Sequence, residues 1–130
     1  MAVEGLHHFN YRAPAAELRA IRDFYCDVLG FIDGSRPPFH IPGHWLYAGN
    51  LPIVHLIEMS AEQSLAPVEE RQSALDHVAL RCTDLEGMLA RLRAHDIPHS
   101  SMKVPGTGAT QVFCKDPTGM GVELNFGSAA

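Results

Sequence analysis

The sequence predicts an α+β fold of two pseudo-symmetric β-α-β-β-β modules, whose mixed sheets curl around a metal-binding cup. One observation is an internal repeat, because residues 6–12 (LHHFNYR) return as residues 75–81 (LDHVALR), 69 positions later. Another is that residues 53–56 (IVHL) return as residues 121–124 (GVEL), 68 positions later. Two copies of one unit, each with two side chains of metal-ligand type, predict a metal site on a pseudo-twofold axis.

Each half of the chain is predicted to begin with a strand and to continue with a helix. Residues 6–12 alternate in polarity as a strand does, and apolar residues then recur with helical spacing over residues 18–29. Gly30 follows at the position where a helix commonly ends in a left-handed residue. In the second half, residues 83–86 (TDLE) have the form of a capping box, and Pro98 ends the helix that follows them.

Short runs of strand-forming residues follow each helix, and the predicted order of each half is β-α-β-β-β. These runs, which turn residues separate, are residues 45–48, 53–58, 111–115 and 121–126. Residues 34–44 contain three prolines and two glycines and are predicted to form a substantial loop. Residues 106–108 (GTG) are predicted to form a hairpin turn, because no helix follows them as a phosphate-binding loop would require.

The length of the chain indicates one domain. Its 130 residues fit a single domain over residues 1–130. Within this domain, module one covers about residues 1–59 and module two about residues 73–130. The linker between them, about residues 60–72, is polar and shows no strong periodicity, although it leaves room for a short helical piece.

The composition favours a small molecule as the partner. The net charge is −5 and no run of Lys and Arg is present, which argues against nucleic acid and against an anionic membrane surface. No apolar run approaches the roughly 20 residues of a membrane span, so a cytoplasmic protein is predicted. The three cysteines lack any C-x-x-C spacing, which predicts buried apolar residues rather than a disulfide framework or a zinc knuckle.

Strand alternation identifies the candidate metal ligands. Successive side chains of a strand point to opposite faces, so a polar residue an odd number of positions from the apolar residues of its strand lies on the face away from them. The apolar faces would pack on the helices and leave the polar faces to line a concave surface. Imidazole and carboxylate ligands together admit Zn, Ni, Mn or Fe. The residues that meet this condition are His8, His55, His77 and Glu123.

Other polar and aromatic residues are candidates for binding a substrate. An arginine on the rim of a concave sheet can hold a carboxylate or phosphate through two hydrogen bonds. Aromatic residues beside a metal can enclose an organic ligand. Arg81 and Arg12 could instead be solvent-exposed charges at strand ends. The aromatic residues could instead pack over the sheet without binding a ligand, and both alternatives remain open. The substrate-binding candidates are Asn10, Arg36, Trp45, Tyr47 and Arg81.

The chain resembles the vicinal oxygen chelate superfamily, which contains glyoxalase I, methylmalonyl-CoA epimerase, extradiol dioxygenases and the fosfomycin and bleomycin resistance proteins. The resemblance implies paired β-α-β-β-β modules around one divalent metal ion, with ligands at His8, His77 and Glu123 and a fourth at His55. It also implies a homodimer. The segments that carry it are Leu6–His8, Asp23–Tyr25, Val28–Phe31, Leu75–Ala79, Asp116–Gly119 and Val122–Leu124.

One ligand position departs from the family pattern. Glyoxalase I typically has a glutamate and the epimerase a glutamine where this chain has His55. The departure removes a carboxylate, which argues against a glyoxalase mechanism with two carboxylate bases. The resemblance therefore implies a metal-dependent, glyoxalase-like lyase or isomerase that stabilises an enediolate or oxyanion of a small substrate with vicinal oxygens. Glu123 would be its general base, and a thiol such as glutathione is a candidate co-substrate.

Two alternatives remain open at this point. One is an Fe(II) extradiol-type dioxygenase, because two histidines and one carboxylate are the ligand set of such enzymes and His8, His77 and Glu123 supply it. The other is a small-molecule binding or resistance protein of the same fold without catalysis, because the second carboxylate is missing.

Overall fold

The structure is a computed structural model that describes residues 4–60, 67–71 and 75–127. The chain divides into two compact units, Met1–Ala66 and Pro67–Ala130. A short 3-10 helix (Val68–Glu70) lies within the predicted linker, whose residues 61–66 and 72 lie outside the described residues. Among the helices of the described residues, none is long and apolar enough to cross a lipid bilayer.

The first unit contains one helix and a mixed sheet of four strands. The strand order is β1-β4-β3-β2, with β1 parallel to β4 and the other neighbours antiparallel. A π-helical turn (Phe24–Val28) continues the helix. The elements are β1 (Phe9–Ala13), α1 (Ala15–Asp23), β2 (Ile32–Gly34), β3 (Gly43–Ala48) and β4 (Leu51–Glu58).

The second unit repeats this topology. Its strand order is β5-β8-β7-β6, again with the first strand parallel to the last and the other neighbours antiparallel. The predicted α+β fold of two β-α-β-β-β modules is therefore confirmed. The elements are β5 (His77–Cys82), α2 (Leu85–Ala94), β6 (Ser100–Lys103), β7 (Thr110–Lys115) and β8 (Gly121–Phe126).

The two parallel strand pairs have equivalent registers. In the first unit Asn10 of β1 pairs with His55 of β4, and in the second unit Ala79 of β5 pairs with Glu123 of β8. Asn10 and Ala79 each stand two residues after the histidine of the repeated segment. Because side chains alternate along a strand, each histidine is placed on the same face as the ligand-type residue of its central strand.

Several predicted boundaries are wrong. The strands β3 and β4 each begin two residues before the predicted runs, and two further differences have local causes. The first strand begins at Phe9 rather than Leu6, since pairing with β4 starts there. The N-cap of α2 is Asp84 rather than Thr83, because Asp84 adopts a left-handed φ of 63° and its carboxylate accepts a hydrogen bond from the Gly87 amide at 3.0 Å. The end of the first helical segment is as predicted, with Gly30 left-handed at φ 87°.

Apolar side chains of both helices are buried, and α1 contacts β1 and β4 of its own sheet. In the first unit, Leu18 and Ile21 of α1 are buried together with the apolar residues of β3 and β4. In the second unit, Leu92 of α2 is fully buried. The central strands are buried on both faces, so the polar residues His55 and Glu123 are each only 8% exposed. The fold thus brings one polar side chain of each central strand into a largely dehydrated position.

We predict that the buried face of β3 contributes strongly to stability. Leu46 is 0% exposed, so replacing it with alanine removes buried methyl groups and leaves a cavity that costs about 2–5 kcal/mol. The matched variant Leu51→Ala truncates a leucine that is 65% exposed and should change stability by at most about 0.5 kcal/mol. Urea unfolding followed by circular dichroism measures both, and equal effects of the two substitutions would contradict this packing.

Candidate functional site

Three rings are stacked on the polar face of the first sheet. The rings of His8 and His55 have centroids 3.8 Å apart and planes 12° apart, and those of Trp45 and His55 are 4.2 Å and 12° apart. Trp45 pairs with His55 across β3 and β4, and β4 lies between β1 and β3. The sheet register therefore places the imidazole of His55 between the other two rings.

Hydrogen bonds determine which nitrogens of the two imidazoles stay available. The Nε2 atom of His55 lies 2.8 Å from the carbonyl oxygen of Pro52, and since a carbonyl only accepts, Nε2 carries the proton. The Nδ1 atom of His8 lies 2.8 Å from Nδ1 of His7, which leaves Nε2 of His8 for another partner. Burial, with a smaller effect of the charge of His8, lowers the pKa of His55. His55 is thus held neutral.

The second sheet places an imidazole beside a buried carboxylate. His77 donates from Nδ1 to the Asp76 carboxylate at 2.8 Å, and its Nε2 lies 3.6 Å from Oε1 of Glu123. The other carboxylate oxygen of Glu123 accepts from the Asn125 amide at 3.3 Å. The hydrogen bond to Asp76, with a smaller effect of the Glu123 charge, raises the pKa of His77.

The His77–Glu123 pair suits a shared metal ion. Histidines that bind metals usually donate their second ring nitrogen to a carboxylate or carbonyl, as His77 does to Asp76. Two ligand atoms about 2.1 Å from one ion at a tetrahedral angle lie about 3.4 Å apart, close to the separation of 3.6 Å between these side chains. Within either unit taken alone, the described residues contain no group of three metal-ligand side chains.

A cavity of about 760 Å³ lies in the first unit. The rings of His8, His55 and Trp45 line it, as do the predicted substrate-binding residues Asn10 and Arg36. Its remaining walls are mainly aromatic and aliphatic, which suits an organic ligand.

The other two substrate-binding candidates have different surroundings. Tyr47 does not line this cavity, because its hydroxyl donates to the Ser35 carbonyl at 2.6 Å and so joins β3 to the chain after β2. Arg81 is exposed on β5 of the second unit.

Sequence reasoning missed several residues of these surroundings, among them Ile41. Ile57 lines the cavity and lies two positions after His55, so strand alternation alone was sufficient to find it. His7 lines the cavity and contacts His8, but it precedes β1, where alternation does not apply. Asp76 likewise precedes β5, and the one signal of its hydrogen bond to His77 is that an acidic residue stands next to a histidine.

The cysteines do not behave as reactive groups of this site. Cys114 is buried, and burial raises its pKa to about 11. Burial also raises the pKa of Cys26 and of Cys82, which are partly buried. All three thiols are therefore protonated near neutral pH, and a thiolate nucleophile is not supported.

We predict that Asp76→Asn lowers the pKa of His77 toward its ordinary range, because the charged acceptor of the Nδ1 hydrogen bond is lost. His77 would then lose its proton at a lower pH. An NMR titration of EDTA-treated protein measures the change. The matched variant Asp96→Asn removes one charge from an exposed residue after α2 and should leave the titration of His77 unaltered. An unchanged His77 pKa in Asp76→Asn would contradict this interaction.

Several known proteins are similar to this chain in sequence or in structure. The protein YaeR of Escherichia coli (strain K12), described as uncharacterized, is 26% identical over 129 residues, which covers 95% of this chain and 97% of YaeR. A glyoxalase family protein from Bacillus anthracis superimposes with a TM-score of 0.73 at 19% identity, covering 98% of both chains. Lactoylglutathione lyase from Agrobacterium tumefaciens has a TM-score of 0.65 at 22% identity, covering 96% of this chain and 95% of that one.

A family model provides the assignment. The model described as Glyoxalase/Bleomycin resistance protein/Dioxygenase superfamily matches residues 5–124, which cover most of both modules and include His8, His55, His77 and Glu123. The repeated topology and the repeated strand register are consistent with this match. The chain therefore belongs to the Glyoxalase/Bleomycin resistance protein/Dioxygenase superfamily.

Proposed function

We propose that this protein is a divalent-metal-dependent, glyoxalase-like enzyme of the lyase or isomerase type, which acts on a small substrate with two neighbouring oxygens. The observation that carries the proposal is the pair of His77 and Glu123, whose facing atoms are 3.6 Å apart while Asp76 orients the imidazole. This is the geometry of two ligands that share a cation.

The proposed metal ligands are His8, His77 and Glu123. His8 qualifies because its Nε2 atom is left available by the contact with His7. When bound, a divalent ion supplies Lewis acidity, which polarises the substrate oxygens and stabilises the negative charge that develops on them. Two imidazoles and one carboxylate admit Zn, Ni, Mn or Fe.

Glu123 is the proposed general base. It is the carboxylate of the ligand set, and it is only 8% exposed, which keeps bulk water away from it. The Asn125 amide holds Oε2 and Oε1 is the proposed ligand atom that faces His77, so Oε1 would have to loosen from the ion before it took the proton from the substrate and returned it. Proton transfer by a positioned carboxylate typically contributes about 10²–10⁴-fold to the rate.

His55 is proposed as a positioning residue rather than a ligand. Its plane is nearly parallel to that of His8, so the in-plane lone pairs of the two stacked rings do not converge on one point. Its Nε2–H group donates to the Pro52 carbonyl, so Nδ1 is the one nitrogen that could bind an ion, and the positioning role rests on the ring stacking alone. The stack with Trp45 and His8 therefore fixes the orientation of His8.

The ligand role of Glu123 can be tested with Glu123→Gln, a substitution that keeps the shape and removes the charge. We expect the affinity for Zn²⁺ or Ni²⁺ to fall by more than about 100-fold, and metal-dependent turnover to disappear while the circular dichroism spectrum is retained. The matched variant Glu86→Gln, on the exposed side of α2, should bind metal like the wild type. Isothermal titration calorimetry measures the affinities, and unchanged metal binding in Glu123→Gln would overturn the proposed ligand set.

The reaction class can be tested on metal-loaded protein. We expect turnover of a hemithioacetal formed from a 2-oxoaldehyde and glutathione, or of a related substrate with vicinal oxygens. Oxygen uptake by Fe(II)-loaded protein with a panel of catechols would instead establish the dioxygenase alternative. Analytical ultracentrifugation of the same samples tests the expected homodimer.

The positioning role of His55 predicts different outcomes for two substitutions. His55→Phe keeps a flat ring between Trp45 and His8, so metal affinity should stay within about threefold of the wild type. His55→Ala removes the ring and should lower the affinity by about 10–100-fold, as the loss of an orienting residue does. Calorimetric titration with Zn²⁺ measures both, and an equal loss in the two variants would show that His55 is itself a ligand.

The cavity supports a second candidate function, a small-molecule binding protein without catalysis. Its aromatic walls and its volume of about 760 Å³ are those of a site for an organic compound. Tight binding of a compound that is recovered chemically unchanged from metal-loaded protein would favour this function over the enzyme.

A further inference from the structure

The charges along the cavity of the first unit have one sign. Of the titratable side chains that line it, one is an arginine and the others are histidines, and no Asp or Glu lines it among the described residues. This is unusual for a chain with a net charge of −5. A cavity lined by groups that are cationic or can become so favours an anionic ligand.

Arg36 is the permanent charge of this cavity. Its Nη2 atom donates to the Ile41 carbonyl at 3.1 Å, and its guanidinium carbon lies 5.2 Å from the centre of the Phe39 ring. Both contacts orient the guanidinium without neutralising it. Among the described residues, the buried Nε atom has no hydrogen-bond partner. Because this Nε atom is buried, a ligand in the cavity would meet the guanidinium through its terminal nitrogens.

The aromatic rings of the cavity set a second requirement, which is an apolar surface on the ligand. Trp45 and Phe39 have centroids 6.5 Å apart and line the cavity together with Ile41 and Ile57. Flat aromatic and aliphatic walls favour a planar apolar body. The planar, forked guanidinium matches the geometry of a carboxylate better than that of a neutral group.

We propose that the ligand of this cavity is a planar, apolar carboxylate, whose carboxylate pairs with Arg36 and whose body lies against Trp45 and Phe39. As a statement about the substrate this deepens the proposed function and rests on it. The binding step itself uses only residues of the first unit that are outside the proposed ligand set, so it can be measured in the absence of metal.

Trp45 provides the signal for the experiment, because it is the single tryptophan of the chain and lines the cavity. EDTA-treated protein is titrated with phenylacetate, and with phenylacetamide as a neutral compound of the same shape. Acetate and inorganic phosphate serve as anions without a planar body. We expect saturable quenching by phenylacetate and affinities at least about tenfold weaker for the other three.

Variants assign the effect to Arg36. Arg36→Gln should weaken phenylacetate binding at least about tenfold and leave phenylacetamide unchanged, and Arg36→Lys, which keeps the charge but not the fork, should give a smaller loss. Arg19→Gln removes the same charge from an exposed position of α1 and should match the wild type. Circular dichroism checks that each variant is folded. If Arg36→Gln does not fold, the loss of phenylacetate affinity in Arg36→Lys is the result that tests the proposal.

Several results would overturn the proposal. They are equal affinity for phenylacetamide, equal affinity for acetate or phosphate, an unchanged affinity for phenylacetate in the Arg36 variants, and no saturable quenching by phenylacetate. If the protein binds Zn²⁺ but gives one of these results, the proposal of a carboxylate ligand is ruled out and the proposed function is retained. If the protein binds the carboxylate but binds no Zn²⁺, the carboxylate ligand is retained and the metal-dependent function is ruled out.

Discussion

The parallel pairing of the first and last strands of each module is the constraint on which the candidate site depends. In both units this pairing places the ligand-type residue of the central strand opposite the residue two positions after the repeated histidine. A slip of one residue would turn His55 and Glu123 onto the apolar face of their sheets. Register, more than composition, therefore determines that an imidazole or carboxylate is available on the polar face.

Burial on a central strand makes these polar residues costly unless they are paired. The two modules meet this requirement differently. In the first, His55 is held by the Pro52 carbonyl and by rings on both faces. In the second, Glu123 is held by Asn125 and faces His77. The same scaffold thus supports a ligand cavity in one unit and an imidazole–carboxylate pair in the other.

The repeat and the alternation of polarity were sufficient to predict the modules, most strand positions and the faces of the candidate ligands. These features depend on backbone geometry, which local sequence encodes well. The exact start of β1 depends on where its pairing with β4 begins, although β4 itself extends three residues further, and the cap of α2 depends on a left-handed Asp84. Neither is visible in the order of residue types.

Side-chain conformation marks the limit of sequence reasoning at the site. Alternation placed His55 on the polar face of its strand, but only the structure shows its ring stacked and its Nε2 bonded to Pro52. Tyr47 illustrates the same point, since its hydroxyl reaches the Ser35 carbonyl through a torsion that strand position does not determine. Contacts of this kind decide whether a residue binds a ligand or supports one that does.

The central claim is that His8, His77 and Glu123 bind one divalent ion. X-ray absorption at the Zn edge of the loaded protein tests it most directly. The account predicts one ion per chain with two imidazole nitrogens and carboxylate or water oxygens at about 2.0–2.2 Å. A spectrum without imidazole scattering, or with oxygen ligands alone, would contradict it.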